Sequence, residues 1–476
     1  MKKVRLVLIS LLMFFAVTGC SNEDKNLLDK DDPTTIQVWH YYNGAQQEEF
    51  NRLVDEFNKT VGKEKGIIVE GSGQGTISDL ERNVLDSING KAGAADIPNI
   101  FAAYGDTAYQ VDKLGYAVDL NKYFSKDELS KYVDGYLEEG HFSSKDTLKI
   151  FPVAKSVELF MLNKTDWEKF ANATGASTND LNTIEGVTKV AEQYYNWTDS
   201  LTAAPNDGKA FFGRDAFANY MLVGYRQLAT DIFSKKDNKI VLNFEADIAK
   251  KLWDNYYVPY ISGYFSSSGK FRSDDIKIGN ILACVSSSSS VTYFPKEVIL
   301  NDEESHSIEL ETFACPKFKD GKDYVVQQGA GMVVLKSEEK EQQAAVEFLK
   351  WFTSDKQNIA FSNASGYLPV TKSANDLDKI TDEVEVNESV KKTLNTSLKM
   401  ISDNNMYTSV PFEKGTDARN FLETTMSNLA KQDRETVITN LSNGMNLEQA
   451  ISQFNNDTYF NQWYTNTKSQ LESLIK

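Results

Sequence analysis

Thr35–Gly62, TIQVWHYYNGAQQEEFNRLVDEFNKTVG, is the stretch that decides the fold class. It opens with Ile36-Gln37-Val38-Trp39, an alternating apolar run that reads as a buried strand. Phe50, Leu53, Val54, Phe57 and Val61 then recur at helical spacing, one stripe of a helix packed on a sheet. Gly62, just past that stripe, is expected to be a left-handed C-cap. Strand and helix are joined by His40-Tyr41-Tyr42-Asn43-Gly44. In an open α/β sheet, ligands sit outside the carboxyl ends of the strands, where such turns converge. This turn is therefore expected to form one wall of a ligand cleft.

The same alternation continues outward. Gly66–Glu70 reads as a second strand, Thr76–Asn89 as an amphipathic helix, and Asp96–Phe101 as a third strand running into Tyr104-Gly105-Asp106. Gly71-Ser72-Gly73-Gln74-Gly75 lacks both phosphate-loop spacings, so a flexible loop is expected there. Strand alternating with helix implies a mostly parallel sheet covered on both faces. A new unit begins near Ile150, with a strand at Val157–Asn163, helix-prone sequence over Trp167–Tyr195 and a helix from Phe217 to about Phe233. Ser286–Ser290 is a serine run, expected as a loop. Tyr324–Leu335 is a strand broken by Gly329 and Gly331, and an amphipathic helix on Ala345, Phe348, Leu349 and Phe352 follows. Helices dominate from there to Lys476.

A chain of 476 residues is long enough for two domains. The formal net charge of -17 argues against sequence-independent nucleic-acid binding, which needs basic surface to displace counterions. Lys2, Lys3 and Arg5 precede an apolar run, Leu6–Val17, too short to span a bilayer core of about 30 Å. Residues 1–19 therefore read as a signal peptide. Val17-Thr18-Gly19-Cys20 resembles the lipobox of bacterial lipoproteins. That resemblance implies cleavage before Cys20, whose sulfur then carries a diacylglycerol and holds the chain at the membrane. Residues 20–34 are polar and charged and are expected to be a flexible tether. Cys284 and Cys315 sit in apolar runs. Export permits a disulfide between them, and buried free thiols are the favoured alternative.

Two later stretches carry a family resemblance. One is Gly329-Ala330-Gly331-Met332-Val333-Val334 with the helix Glu341–Phe352 and Thr353-Ser354 behind it; the other is Gly366-Tyr367-Leu368-Pro369-Val370 with Lys372 and Ser373. Together they resemble the family 1 extracellular solute-binding proteins, receptors of ATP-driven (ABC) sugar importers. The resemblance implies a two-lobe, periplasmic-binding-protein-like (type II) α/β clamshell, each lobe a mostly parallel sheet flanked by helices. It places residues 35–147 and 279–335 in lobe 1, and residues 148–278 and 336–476 in lobe 2. It also implies a monomer that takes up a mono- or oligosaccharide between the lobes and delivers it to membrane permease subunits, with no cofactor, no metal and no catalysis.

A sugar site needs aromatic faces for pyranose C–H groups and polar side chains for hydroxyls in a desolvated cleft. Tyr41, Tyr42 and Asn43 are candidates from the first turn, and Tyr104 and Asp106 from the end of the third strand, with a helix N-cap as the alternative role for Asp106. Arg214 and Asp215 could bracket a hydroxyl from the second lobe, with an exposed or structural ion pair as the alternative, and Ser288 opens a loop after a buried strand. The family resemblance adds Gln327 and Gln328, and leaves Tyr367 either lining the cleft or wedging a helix pair. A phosphorylated polyol is the alternative solute, with Arg214 as its candidate cation. The alternative class is an exported glycoside hydrolase. Against it, the chain has no G-x-S-x-G and no HExxH, and His40, His141 and His306 are far apart in sequence. With 68 Asp and Glu, an acidic pair carries little information.

Overall fold

A computed structural model describes residues 27–237, 239–382 and 388–476. The strands of its two main sheets, in chain order, are β1 (Thr34–His40), β2 (Ile67–Gly73), β3 (Ile100–Ala103), β4 (Ser156–Asn163), β5 (Phe212–Arg214), β6 (Ala283–Ser287), β7 (Leu310–Ala314), β8 (Tyr324–Gln328), β9 (Gly331–Val334) and β10 (Asn405–Tyr407). The first sheet has the order β9-β3-β1-β2, with β1 parallel to β2 and β3, and β9 antiparallel at one edge. Ile36 and Val38 of β1 point into its core. Phe50, Leu53, Val54 and Phe57 of the Gly44–Lys59 helix close over them, as the stripe requires. Each such side chain contributes roughly 1.5–3 kcal/mol when fully buried.

The second sheet runs β10-β8-β4-β6-β5, with β7 also on β4. This sheet is mixed: β4 is antiparallel to β6, β7 and β8, while β5 is parallel to β6 and β10 to β8. Along β4 the side chains alternate between two cores. Phe160 and Leu162 join a large aromatic cluster, while Val157, Leu159 and Met161 join a smaller one containing Cys284. A strand buried on both faces reads as a continuous apolar run, which explains SVELFMLN. Cys284 and Cys315 are free thiols.

Three chain segments pass between the halves and meet at Lys155. Phe151 bridges to Met332, and Lys155 exchanges backbone hydrogen bonds with Leu368. Gly329 turns the third segment at φ +92, where a Cβ would sit 2.6 Å from the Ala154 carbonyl oxygen. The Lys155 side chain, 1% exposed, pairs with Glu139 and donates to the Gly329 carbonyl at 2.9 Å. Tyr324–Leu335 is thus two strands, β8 in the second sheet and β9 in the first, with Gly329 between them.

Sheet membership redraws the expected lobe boundaries. β6, β7 and β8 lie in the second sheet, although the resemblance implies lobe 1 for residues 279–335; only β9 returns to the first. Residues 336–365 fall in lobe 2 by the same resemblance, yet the Glu339–Phe352 and Asp355–Ser365 helices pack on the first sheet, with Phe348 and Phe352 against Phe50. The physical cause is the short link: four residues separate β9 from the Glu339–Phe352 helix, so that helix covers the sheet β9 has just joined. Helices from Gly415 to Leu474 do cover the second sheet's aromatic core.

Three local expectations also change. The left-handed cap is Gly66, at φ +72, because the helix ending at Lys59 is followed by a further short helix, Val61–Lys65. Gly71 and Gly73 belong to β2, where a Cβ on Gly71 would lie 2.8 Å from Phe50. From Leu27 on, the expected tether lies on the first half: Leu27 N–H donates to Gln343 Oε1 at 2.9 Å and Lys340 pairs with Asp32 at 2.8 Å.

Candidate functional site

The carboxyl end of β3 and the ends of β8 and β10 converge on a cavity of about 260 Å³ between the two halves. Tyr104 and Asp106 approach it from the first half, at the start of the Gly105–Lys113 helix, with Glu81 and Glu139 alongside. The second half supplies Gln327 and Gln328 from β8, the Thr408–Phe412 turn after β10, and Arg419 from the Gly415–Thr425 helix. Tyr104 keeps 38% of its surface exposed here, unusual for an aromatic at a strand end, while Tyr407 and Phe412 face the cavity from the other side.

Asp106 reaches across the gap. Phe412 N–H donates to its carboxylate at 3.1 Å, and a Cβ on Gly415 would fall 1.8 Å from Asp106 Oδ1, so only glycine permits the approach. The expected N-cap role is thereby replaced: Asp106 lies in the first turn of its own helix and accepts from the opposite half. Burial pushes its carboxyl up to about 7, with Glu81 and Glu139 adding to the rise and the Phe412 N–H and Arg419 opposing it. Burial also raises the Glu81 carboxyl, against the Thr107 hydroxyl.

A polar chain leads from the cavity wall into the second core. Arg419 donates to Asn219 Oδ1 at 2.6 Å, Asn219 donates to Glu158 Oε1 at 2.7 Å, and Arg214 pairs with Glu158 Oε2 at 2.9 Å. Arg214 therefore lies behind the wall, buried and committed to Glu158 and the Tyr220 ring, and does not line the cavity. Asp215 is held by the Ser286 hydroxyl at 2.8 Å and the Arg272 N–H at 3.2 Å. Ser288 is buried and accepts from Val157 N–H at 3.4 Å.

Of the residues singled out from sequence, Tyr104, Asp106, Gln327 and Gln328 are brought together at the cavity. Tyr41 stands one layer back, its hydroxyl near those of Tyr367 and Tyr104, with Ala330 N–H donating to it at 3.4 Å. Tyr367 is buried in the first core and backs this cluster. Tyr42, 5% exposed, packs among His40, Phe50 and Phe361, and Asn43 is exposed before the Gly44–Lys59 helix. Cys20 lies outside the described residues.

Sequence reasoning missed Asn219, Phe412 and Arg419. Their signal was weak: β10 is three residues long inside a helix-rich stretch, and only Pro411 and Gly415 punctuate the turn after it.

The bacterial extracellular solute-binding protein family matches residues 52–388. Among solved structures, a cyclic α-maltosyl-1,6-maltose binding protein from Arthrobacter globiformis is 18% identical, covering 91% of this chain and 100% of its own, with a TM-score of 0.64. UgpB from Mycobacterium tuberculosis, solved with glycerophosphocholine, is 15% identical, covering 93% and 98%, with a TM-score of 0.67. The ABC substrate-binding protein Lmo0181 from Listeria monocytogenes, solved with cycloalternan, is 14% identical, covering 93% and 100%, with a TM-score of 0.65. At these identities the likeness establishes the fold. No curated protein matches the chain.

Proposed function

The chain belongs to the bacterial extracellular solute-binding protein family, and on that premise we propose that it is the saccharide receptor of an ATP-driven importer, holding its ligand between the two halves. The observation that carries this reading is the cavity itself, lined from both sides by aromatic and polar groups: Tyr104 and Asp106 on one, Phe412, Gln328 and Arg419 on the other. A solute touching both walls binds the closed arrangement better than the open one and shifts the population toward it. The three crossing segments at Lys155 are the natural hinge. Structural neighbours solved with, or named for, cyclic α-maltosyl-1,6-maltose, cycloalternan and lacto-N-biose make an oligosaccharide the class to test first. A phosphorylated polyol has less support, because Arg214 is already engaged by Glu158 and Arg419, the cation that does line the cavity, is outnumbered there by Glu81, Asp106 and Glu139.

No helix among the described residues is long and apolar enough to cross a membrane. The lipobox-like VTGC at residues 17–20 supports anchoring through a lipidated Cys20, with the folded body outside the cytoplasmic membrane as a monomer. The permease then receives the closed form. The family is one of binding proteins, and the reading assigns the chain no chemistry.

Thermal shift of the purified chain across a saccharide panel tests this directly. A ligand at about 100 times its Kd stabilises by roughly 2.7 kcal/mol, and it is recovered chemically intact. Turnover of a glycoside in the same material would replace the receptor by an enzyme.

A further inference from the structure

We propose, building on the receptor reading above, that the solute carries one positive charge, which makes an aminated saccharide the class this cavity selects over a neutral one. Three carboxylates border the space: Glu81 from the Ile77–Ile88 helix, Asp106, and Glu139. Against them stand two cations. Lys155 pairs with Glu139 from behind and spends a second N–H on the Gly329 carbonyl, so its charge is committed. Arg419 is the one remaining cation among the described lining residues, and it spends an N–H on Asn219. Arg419 forms no ion pair with Glu81 or Asp106 and acts only on the Asp106 charge, so Glu81 lacks a counter-charge among the described lining residues.

The neutral groups lean the same way. Gln327 and Gln328 both have a carboxamide oxygen buried without a hydrogen-bond partner, and the Gln327 NH₂ is already given to the Gly135 carbonyl and the Thr408 hydroxyl. The walls thus hold two unused, buried acceptors. A sugar hydroxyl both donates and accepts, whereas an ammonium brings three donors and no acceptor. The rings of Tyr104, Tyr407 and Phe412 add faces that attract a cation and stack on pyranose C–H groups. A metal ion is a poor alternative: no group of His, Cys, Asp or Glu among the described residues is placed to hold one, and about 260 Å³ far exceeds what a bare ion fills. The raised Glu81 and Asp106 carboxyls are what two buried acids short of counter-charge display, and a ligand ammonium would lower both.

The test is isothermal titration of the purified chain with amino-bearing mono- and disaccharides, such as glucosamine and its β-1,4 dimer, beside their N-acetyl and hydroxyl counterparts. The expected result is that the tightest aminated ligand exceeds its neutral counterpart by at least about tenfold. Asp106→Asn, which retains an acceptor for the Phe412 N–H, and Glu81→Gln should each narrow the preference for the aminated over the neutral ligand by about tenfold. Lowering the pH from about 7.5 to about 5.5 should do the same to the unmodified protein, as Asp106 protonates among Glu81, Glu139 and Arg419; the Lys113–Glu413 pair at 2.9 Å is exposed and self-neutralised. That arm stands even if a variant fails to fold. A neutral saccharide binding as tightly as its aminated counterpart overturns the charge assignment and leaves the receptor reading intact. Equal binding of a polyamine without a sugar ring overturns the saccharide class. Absence of binding by either series at millimolar concentration overturns both readings.

Discussion

Asp106→Asn should change how stability depends on pH, and the structure fixes the sign. The Asp106 carboxyl is shifted from its ordinary 3.8 to about 7, chiefly by burial. Over that interval the folded chain binds a proton at this site that the unfolded chain has released. Stability contributed through Asp106 is therefore greatest below pH 3.8 and falls as pH rises to about 7. At about 1.4 kcal/mol per pH unit, the ceiling on this loss is roughly 4 kcal/mol, less where water enters the cavity. Asparagine cannot ionise, yet it preserves the acceptor facing Phe412 N–H. Denaturant titrations of both proteins at about pH 4.5, 6 and 8 should show the variant gaining on the parent by up to about 1.4 kcal/mol per unit, levelling off above about pH 7. A difference that is flat across this range would refute the claim that a buried, under-compensated carboxyl spans the two halves.

Other perturbations probe the hinge, the contact and the cores. Gly415→Ala places a methyl on Asp106, so affinity for an identified ligand should fall at least about tenfold and the radius of gyration by small-angle scattering should rise. Lys155→Met leaves Glu139 half-buried and unpaired, and should cost about 3–5 kcal/mol in chemical denaturation, with part recovered in the double variant Lys155→Met/Glu139→Gln. Tyr42→Ala should cost about 3–5 kcal/mol in the same assay because its ring fills space between Phe50 and Phe361. Gly329→Ala forces a Cβ toward the Ala154 carbonyl at a left-handed φ and should destabilise by about 1–3 kcal/mol.

Local periodicity made the first half legible. The alternation of Ile36 and Val38 and the stripe of Phe50, Leu53, Val54 and Phe57 each specify one buried face, and the structure buries those faces. The same logic separates poorly between adjacent aromatics. Tyr41, Tyr42 and Tyr104 all sit at strand ends, yet only Tyr104 reaches the cavity, because Tyr42 is drawn into a pocket completed by Phe361, more than 300 positions later in the chain. That Arg214 pairs with Glu158 carries no local mark, because the two are brought together only by the pairing of β4 and β5 with β6. Lobe boundaries failed for a related reason. Which sheet a short strand joins is decided by long-range pairing, and β9 and the helix after it carry no local mark of that choice. The second wall of the cavity hangs on β10, too short for its alternation to register.

Isothermal titration of the best saccharide from the panel against Tyr104→Ala and Arg419→Ala is the most direct test of a ligand held between the halves. These side chains come from opposite walls. Each truncation should weaken binding by about 1–3 kcal/mol with the fold intact. Unchanged affinity in either variant would place the ligand elsewhere and contradict the account.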